Sequence, residues 1–268
     1  MTGTAGQVSA GLPPGLRVEA PPGRIRDAFA ALCPLQPVAM DDDGMVCAPR
    51  SAPELSAPAL AACPLPTRAL AYVPGWPDPP AAMVGRWYRR SPDHVSAPAG
   101  VRELVQVAGE GFGPAGHATT AMCLEAMDAL PAGSALDAGC GSGLLAQAWV
   151  ALGRGPVLAL DLDARALAQA ARSLEAAGHA GAVTLRHGPL RGLSPAEVAG
   201  RVVLANVPLD AHRSLLARID PQIPPLAAVL SGVRPGAVGE LASAWRAFGL
   251  GTIAVERSGG FACVRVTA

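Results

Sequence analysis

A glycine-rich turn between a short apolar run and a helical pattern constrains the fold of this chain more than any other feature. The apolar run ends at Asp137. The turn then carries three glycines at alternate positions, Gly139, Gly141 and Gly143, and the helical pattern follows at once. A second apolar run ends at Asp161, where a βαβ unit places an acid that binds ribose hydroxyls. The segment therefore predicts half of a nucleoside-binding α/β fold.

The spacing of the glycines indicates which nucleoside is bound. A dinucleotide fingerprint has a third glycine that lets the helix pack closely, with a pyrophosphate at the helix N-terminus. In this chain that position is Leu144, and Asp137 stands where a carboxylate would repel a pyrophosphate but hold an ammonium group. A ribose, no phosphate and a cationic amino-acid tail describe S-adenosylmethionine (SAM). An ordinary glycine-rich turn and, more remotely, a nicotinamide dehydrogenase are the alternatives.

Composition divides the chain into two parts. Seventeen of the 27 prolines fall in the first hundred residues, and the remainder alternates apolar strands with alanine-rich helices. We expect a disordered start at 1–14, a small α+β substrate-recognition domain at 15–80, a linker at 81–103 and the main domain at 104–268. The first of these domains shows a faint β-α-β-β-α-β order, which is typical of a ferredoxin-like fold.

The main domain has the element order of a doubly wound sheet. Its strands alternate with helices and end in two strands that predict an antiparallel hairpin. The predicted fold class is therefore α/β, a Rossmann-like sheet with a C-terminal antiparallel hairpin. Thr119 and Asp163 are the predicted N-caps of two of its helices.

Charge and cysteine content exclude several classes of protein. The formal net charge is zero, which gives no general attraction to nucleic acid or anionic membranes. Arginines flank Trp87 and Tyr88, yet we favour a linker or strand with both aromatics packed inward over a nucleic-acid grip. The six cysteines include no C-x-x-C pair, so no metal site is predicted. Since a signal peptide and a membrane-spanning run are also lacking, we expect a cytoplasmic protein.

The single asparagine of the chain, Asn206, is a candidate catalytic residue. It lies at the predicted carboxyl end of the fourth strand of the main domain, the edge at which open α/β sheets bind ligands. An amide there can accept a hydrogen bond from a nucleophilic amine and aim its lone pair at a sulfonium methyl group. The alternative is an asparagine that only caps a helix or forms a turn before Pro208.

Several motifs occur in the order of one known family. They are EGFGPAGHATT at 110–120, LDAGCGSGLL at 136–145, ALDLD at 159–163, LAN at 204–206 and LSGV at 230–233. Together they resemble the ribosomal protein L11 methyltransferases, which belong to the class I SAM-dependent enzymes. The resemblance covers 104–234 well and the C-terminal hairpin loosely. It implies methyl transfer to lysine side chains and an N-terminal amine of a large-subunit ribosomal protein. It also implies that an N-terminal domain of the enzyme binds this protein substrate.

The resemblance also implies a set of site residues. Asn206 would receive the amine, and Phe112, His117 and Thr119 would line the methyl-transfer site. His117 would act there either as a general base or only by packing beside Thr119. Gly139 would contact the methionine part of the cofactor, and Asp161 its ribose. The complete predicted cofactor set is Thr120, Asp137, Gly139, Cys140, Gly141, Gly143, Asp161, Leu162 and Asn206.

Departures from the family pattern concern the acceptor more than the cofactor. The F-G-T-G loop of the family reads Phe112-Gly-Pro-Ala here, an aspartate is replaced by Arg201, and a tryptophan is absent near Phe261. The first hundred residues do not match. Three functions therefore stay open: N-methylation of a ribosomal protein, methylation of a small metabolite or another protein, and SAM binding without turnover.

Overall fold

The structure, a computed structural model, describes residues 15–19, 35–41, 44–49, 67–70, 82–84, 86–92, 96–97, 100–107 and 117–267. The predicted features at 1–14 and at Phe112 lie outside these ranges. The chain divides into two units, the first containing Met1–Met83 with Tyr88–Glu103 and the second containing Val84–Trp87 with Leu104–Ala268.

Four strands of the first unit form an antiparallel sheet. They are β1 (Gly15–Glu19), β2 (Leu35–Asp41), β3 (Gly44–Pro49) and β4 (Thr67–Leu70). Their order across the sheet is β2-β3-β1-β4. The helices that a ferredoxin-like fold would place after β1 and after β3 fall outside the described residues, so the α+β domain at 15–80 stays a prediction.

Three short strands lie at the predicted linker and just after it. They are β5 (Ala82–Val84), β6 (Trp87–Arg90) and β7 (Arg102–Val105), which form a separate sheet in the order β5-β6-β7. The side chains of Trp87 and Tyr88 are 1% and 2% exposed, which confirms that the two aromatics of this segment pack inward. The neighbouring Arg90 donates to Glu103 at 2.8 Å and is therefore already paired within the fold.

Seven strands of the second unit form a mixed sheet. They are β8 (Ala135–Ala138), β9 (Val157–Asp161), β10 (Val183–His187), β11 (Val202–Asn206), β12 (Ala227–Val233), β13 (Gly251–Ser258) and β14 (Phe261–Thr267). Their order is β10-β9-β8-β11-β12-β14-β13, with β8 to β12 parallel and β14 antiparallel to both of its neighbours. This is the predicted doubly wound α/β sheet with an antiparallel hairpin, and its strand order reverses between β8 and β11.

Helices cover both faces of this sheet because the strands are apolar on both sides. In β11, Val202 and Leu204 belong to one hydrophobic core, whereas Val203 and Ala205 belong to the other. Helices α1, α2 and α3 contribute to the first core, and α4, α5 and α6 contribute to the second. Their bounds are α1 (Ala118–Ala126), α2 (Leu144–Ala151), α3 (Ala164–Ala176), α4 (Pro195–Val198), α5 (Leu209–Leu216) and α6 (Val238–Arg246). Within the described ranges, no helix has both the length and the apolar character that crossing a bilayer requires.

The helix caps confirm one prediction and correct another. Asp163 caps α3, since its Oδ1 accepts from the backbone N–H of Arg165 at 2.8 Å. The predicted cap Thr119 is wrong, because α1 already begins at Ala118 and its N-cap is His117. His117 has an extended backbone, and its Nδ1 accepts from the Thr119 N–H at 3.4 Å. The imidazole nitrogen thus takes the place of the usual hydroxyl or carboxylate oxygen.

Candidate functional site

A cavity of about 620 Å³ opens at the carboxyl ends of the parallel strands. Its walls come from the turn after β8, the ends of β9 and β10, the connection from β11 to α5, the start of α1 and the hairpin residue Phe261. It lies beside the point where the strand order reverses, which is where doubly wound sheets bind ligands. Asp161, Leu162, Asn206, His117 and Thr119 line it together, as do Gly139 and Gly141.

Gly139 allows the connection after β11 to approach the turn after β8. Its φ is +76°, and a Cβ built on it would lie 2.3 Å from Cγ1 of Val207. Any other residue would therefore combine a strained backbone with a steric clash. The glycine fingerprint is explained here by packing between two loops of the site as much as by space for a ligand.

Asp161 both lines the cavity and holds the glycine turn. Its Oδ2 accepts from the backbone N–H of Gly141 at 2.7 Å, and its Oδ1 accepts from that of Asp163 at 2.9 Å. The N–H groups of Gly139 and Cys140 in turn donate to the carbonyl of Leu160. Since a carboxylate has about four acceptor positions, Asp161 retains lone pairs that can accept from ribose hydroxyls.

Asp137 lies beneath the turn and does not line the cavity. Its side chain is 0% exposed, and its Oδ2 accepts from the N–H of Ala146 in α2 at 2.9 Å. Its Oδ1 has no hydrogen-bond partner among the described residues. Burial raises the pKa of Asp137 to about 7; the bond from Ala146 opposes this rise and the charge of Asp161 adds to it. Direct contact of Asp137 with an ammonium group stays a prediction.

A small recess of about 20 Å³ adjoins the site and shares Gly139 and Asn206 with it. Two buried side-chain oxygens at this recess, Oγ1 of Thr120 and Oδ1 of Asn206, have no partner within the described part of the chain. Buried polar atoms normally have one, so these two are available for a bound group. The recess is lined by Thr120, Gly139, Cys140, Ser142, Leu144, Leu145 and Asn206.

His117 lines the cavity and is held by its neighbours. Its Nδ1 lies 2.7 Å from Oγ1 of Thr119, and its ring meets Phe261 edge to face at 5.1 Å. The guanidinium of Arg234 lies over the Phe261 ring, 4.6 Å from its centre. Because Nδ1 accepts the capping bond, the neutral imidazole carries its hydrogen on Nε2, and its one ring lone pair is engaged with the start of α1. This geometry favours packing and capping over a role as general base.

Sequence reasoning missed two buried glutamines that hold the segment before residue 108. Gln147 of α2 accepts from the N–H of Val105 at 2.6 Å and donates to its carbonyl at 2.9 Å. Gln169 of α3 donates to the carbonyl of Val107 at 2.7 Å. These amides supply the hydrogen bonds that a neighbouring strand would otherwise make. The available signal was the presence of a glutamine in the apolar run of each helix.

Comparisons with known proteins agree with this fold. The family described as Ribosomal protein L11 methyltransferase (PrmA) matches residues 98–268. A protein named Ribosomal protein L11 methyltransferase from Bordetella parapertussis is 32% identical over 187 residues, covering 66% of this chain and 58% of that protein. Its namesake from Pelotomaculum thermopropionicum is 40% identical over 104 residues, covering 38% and 33%. The chain thus spans less than two thirds of the length of each relative.

A solved structure supports the same conclusion about the fold. The ribosomal protein L11 methylase from Lactobacillus delbrueckii subsp. bulgaricus superposes with a TM-score of 0.57 at 19% identity, covering 70% of this chain and 97% of that one. Likeness at this identity establishes the fold alone. The family match, in contrast, extends over more than half of the sequence. The chain therefore belongs to the ribosomal protein L11 methyltransferase (PrmA) family.

Proposed function

We propose that this chain is a SAM-dependent methyltransferase that N-methylates a protein, with ribosomal protein L11 as the favoured substrate. The observation that carries the proposal is the cavity in which the glycine turn, Asp161 and Asn206 meet at the switch point of the sheet. The relatives named Ribosomal protein L11 methyltransferase support the choice of a ribosomal protein as acceptor.

The residues present fit SAM. The cavity volume of about 620 Å³ lies within the usual range of small-molecule sites. Asp161 would accept from the ribose hydroxyls, and the apolar side chain of Leu162, which is 67% exposed, would cover the adenine. The unpartnered hydroxyl oxygen of Thr120 would accept from the ammonium group of the amino-acid tail or from water beside it. When bound, SAM supplies a methyl group that the positive sulfur has already activated.

Alignment is the main contribution of this site to the rate. Good near-attack geometry is worth roughly 7 to 11 kcal/mol. Removing the proton of a lysine at pH 7 costs about 4.6 kcal/mol, and that of an N-terminal amine about 1 kcal/mol. Since alignment exceeds either cost, a dedicated base is not required if water takes the proton beforehand. Asn206 orients the neutral amine through its side-chain carbonyl, and His117 shapes part of the cavity wall.

Methyl transfer to purified ribosomal protein L11 tests this function. The chain would be incubated with methyl-labelled SAM and either that protein or a cell lysate. The variant Asn206→Ala and a control at the exposed Gln222, Gln222→Ala, would be treated in the same way. We expect label on the ribosomal protein with the wild type and the control, and a loss of at least about a hundredfold with Asn206→Ala. Label only on small molecules or on other lysate proteins would contradict the assignment of ribosomal protein L11 as the methyl acceptor. Tight SAM binding with no transfer to any lysate fraction would indicate a binding module instead.

A further inference from the structure

The strand next to Asn206 is irregular at the point where it reaches the site. The pairing of β12 with β14 shifts between Leu230 and Val233, which leaves Ser231 and Gly232 out of the regular ladder. Ser231 is the partner of Asn206 in the parallel pairing of β11 with β12. Bulges of this kind re-aim groups beside active sites. The irregularity therefore lies directly beside the backbone of Asn206.

The carbonyl of Ser231 accepts two hydrogen bonds at this bulge. One comes from the backbone N–H of Val207 at 3.1 Å, and the other from Nε2 of His212 at 2.9 Å. A backbone carbonyl has two lone pairs, so both are used. His212 lies in α5 and is 1% exposed. It reaches back from the helix to the strand that flanks Asn206.

Val207 has little room to move within this arrangement. A Cβ on Gly232 would lie 2.5 Å from the carbonyl oxygen of Val207, and a Cβ on Gly139 would lie 2.3 Å from its Cγ1. The residue after Asn206 is thus enclosed between two glycines. A shift of the Ser231 carbonyl would move Val207 and, with it, the Asn206 side chain.

The imidazole of His212 acts as a hydrogen-bond donor. A carbonyl can only accept, so Nε2 carries the hydrogen. Burial lowers the pKa of His212, against the opposing effect of the Ser231 and Val207 backbone, which keeps the ring neutral near pH 7. Nδ1 has no partner among the residues that the structure describes. The donor bond to the Ser231 carbonyl, rather than packing alone, accounts for a histidine at this buried position.

The bulge is also hydrogen-bonded to the hairpin that contributes Phe261 to the cavity. The Ser231 hydroxyl donates to the carbonyl of Ala262 at 2.8 Å. The preceding residue, Phe261, is the one that meets the ring of His117. We infer that His212, acting through Ser231, is a positioning residue that sets the place of the Asn206 amide relative to the wall formed by Phe261 and His117. This inference rests on the proposed catalytic role of Asn206.

Asn206 can be observed directly because it is the only asparagine in the chain. Full-length protein labelled with ¹⁵N-asparagine gives one side-chain amide pair in a two-dimensional NMR spectrum. We expect His212→Phe, which retains an aromatic ring but no donor, to shift or broaden this pair, and His212→Gln, which retains an N–H donor, to restore it. His179→Phe, a control outside the site, leaves the pair unchanged.

Kinetic measurements distinguish a positioning role of His212 from a purely structural one. We expect His212→Phe to lower kcat by about ten- to a hundredfold, with the Kd for SAM within about threefold of the wild type. His212→Gln should recover most of kcat. His212→Leu, which also lacks a donor for the Ser231 carbonyl, provides a second variant if His212→Phe does not fold, and it should shift the same amide pair.

The NMR and kinetic measurements distinguish a failure of the positioning role from a failure of the proposed function. An Asn206 amide pair that stays at its wild-type position in His212→Phe, or in His212→Leu if the former does not fold, would overturn the positioning role. A wild type that transfers no methyl group while the amide pair responds as expected would overturn the proposed function and leave the positioning role in place.

Discussion

Asp161 fastens the glycine turn by accepting a hydrogen bond from the backbone of Gly141 at 2.7 Å. The residue that the sequence predicts as the ribose ligand is thus also the residue that ties the end of β9 to the turn after β8. Its orientation is fixed before any ligand binds, because a second bond from Asp163 holds the other oxygen. A preorganised carboxylate loses little side-chain entropy when it accepts ribose hydroxyls.

Replacing Gly139 should destabilise the fold by more than a left-handed backbone alone explains. For Gly139→Ala we expect a loss of about 2 to 5 kcal/mol in the free energy of unfolding, from the strained φ and the clash with Val207. Gly178→Ala is the matched control, since its φ is +73° but no atom lies within 4 Å of the new Cβ. Its loss should be only about 1 to 2 kcal/mol. Urea denaturation measures both, and equal losses would contradict the clash.

Asp137 should make the fold less stable as the pH rises toward neutrality. In the folded chain the pKa of this carboxyl is about 7, whereas its ordinary value is 3.8. Between these values the folded state binds more protons than the unfolded state, so the free energy of unfolding falls as pH rises from about 4 to 7. The full effect is about 4 kcal/mol.

The variant Asp137→Asn isolates this effect. Its stability relative to the wild type should rise between pH 5 and pH 7.5 in urea denaturation, because an amide does not titrate. Asp163→Asn serves as the control, since its exposed carboxyl has a lowered pKa and titrates below this window. A wild type and an Asp137→Asn variant with parallel pH profiles would show that the buried carboxyl is already ionised at pH 5.

His117 should tolerate asparagine better than alanine. An asparagine retains an acceptor for the N–H of Thr119, so His117→Asn should keep the cap of α1 and most of the methyl transfer. His117→Ala should lose about 0.5 to 2 kcal/mol of stability together with part of the activity. Transfer rates and thermal unfolding of both variants decide the question. Equal activity losses of about a hundredfold or more, with His117→Asn fully stable, would instead assign His117 as the general base.

Gln147 should be essential to the segment that leads toward Phe112. Gln147→Leu removes the partners of both the N–H and the carbonyl of Val105, so we expect a loss of about 2 to 4 kcal/mol in the free energy of unfolding. Hydrogen exchange at the Val105 amide should become faster. Gln222→Leu, at an exposed position, controls for the change of residue type. Unchanged exchange at Val105 would mean that water or another group satisfies this backbone.

The main sheet could be predicted from the sequence because its signals are local. Apolar runs of strand length, such as Val157–Asp161 and Val202–Asn206, are buried on both faces and have no competing helical period. Polar residues at their carboxyl ends then fall at the edge where the site forms. These two features were sufficient to predict that Asp161 and Asn206 lie at one site.

The remaining features depend on contacts between distant segments. The bulge at Ser231 arises from the pairing of β12 with β14; Gly232, a glycine inside a strand, indicates a bulge but does not specify the partner strand or the shift in register. The depth of Asp137 follows from the helix that covers it, whereas strand alternation specifies only a face. His117 was missed as a cap because imidazoles rarely take this position, and Gln147 because one polar residue does not disturb a helical pattern.

Calorimetry with SAM tests whether the cavity at the carboxyl ends of the strands binds this cofactor. We expect SAM and its demethylated product to bind to the wild type, and Asp161→Ala to bind each of them at least about tenfold more weakly because the ribose loses its acceptor. A nicotinamide dinucleotide should give no heat of binding. A SAM site with Asp161 as its ribose ligand would be contradicted if SAM gave no heat while a pyrophosphate-bearing nucleotide bound well, or if Asp161→Ala bound SAM as tightly as the wild type.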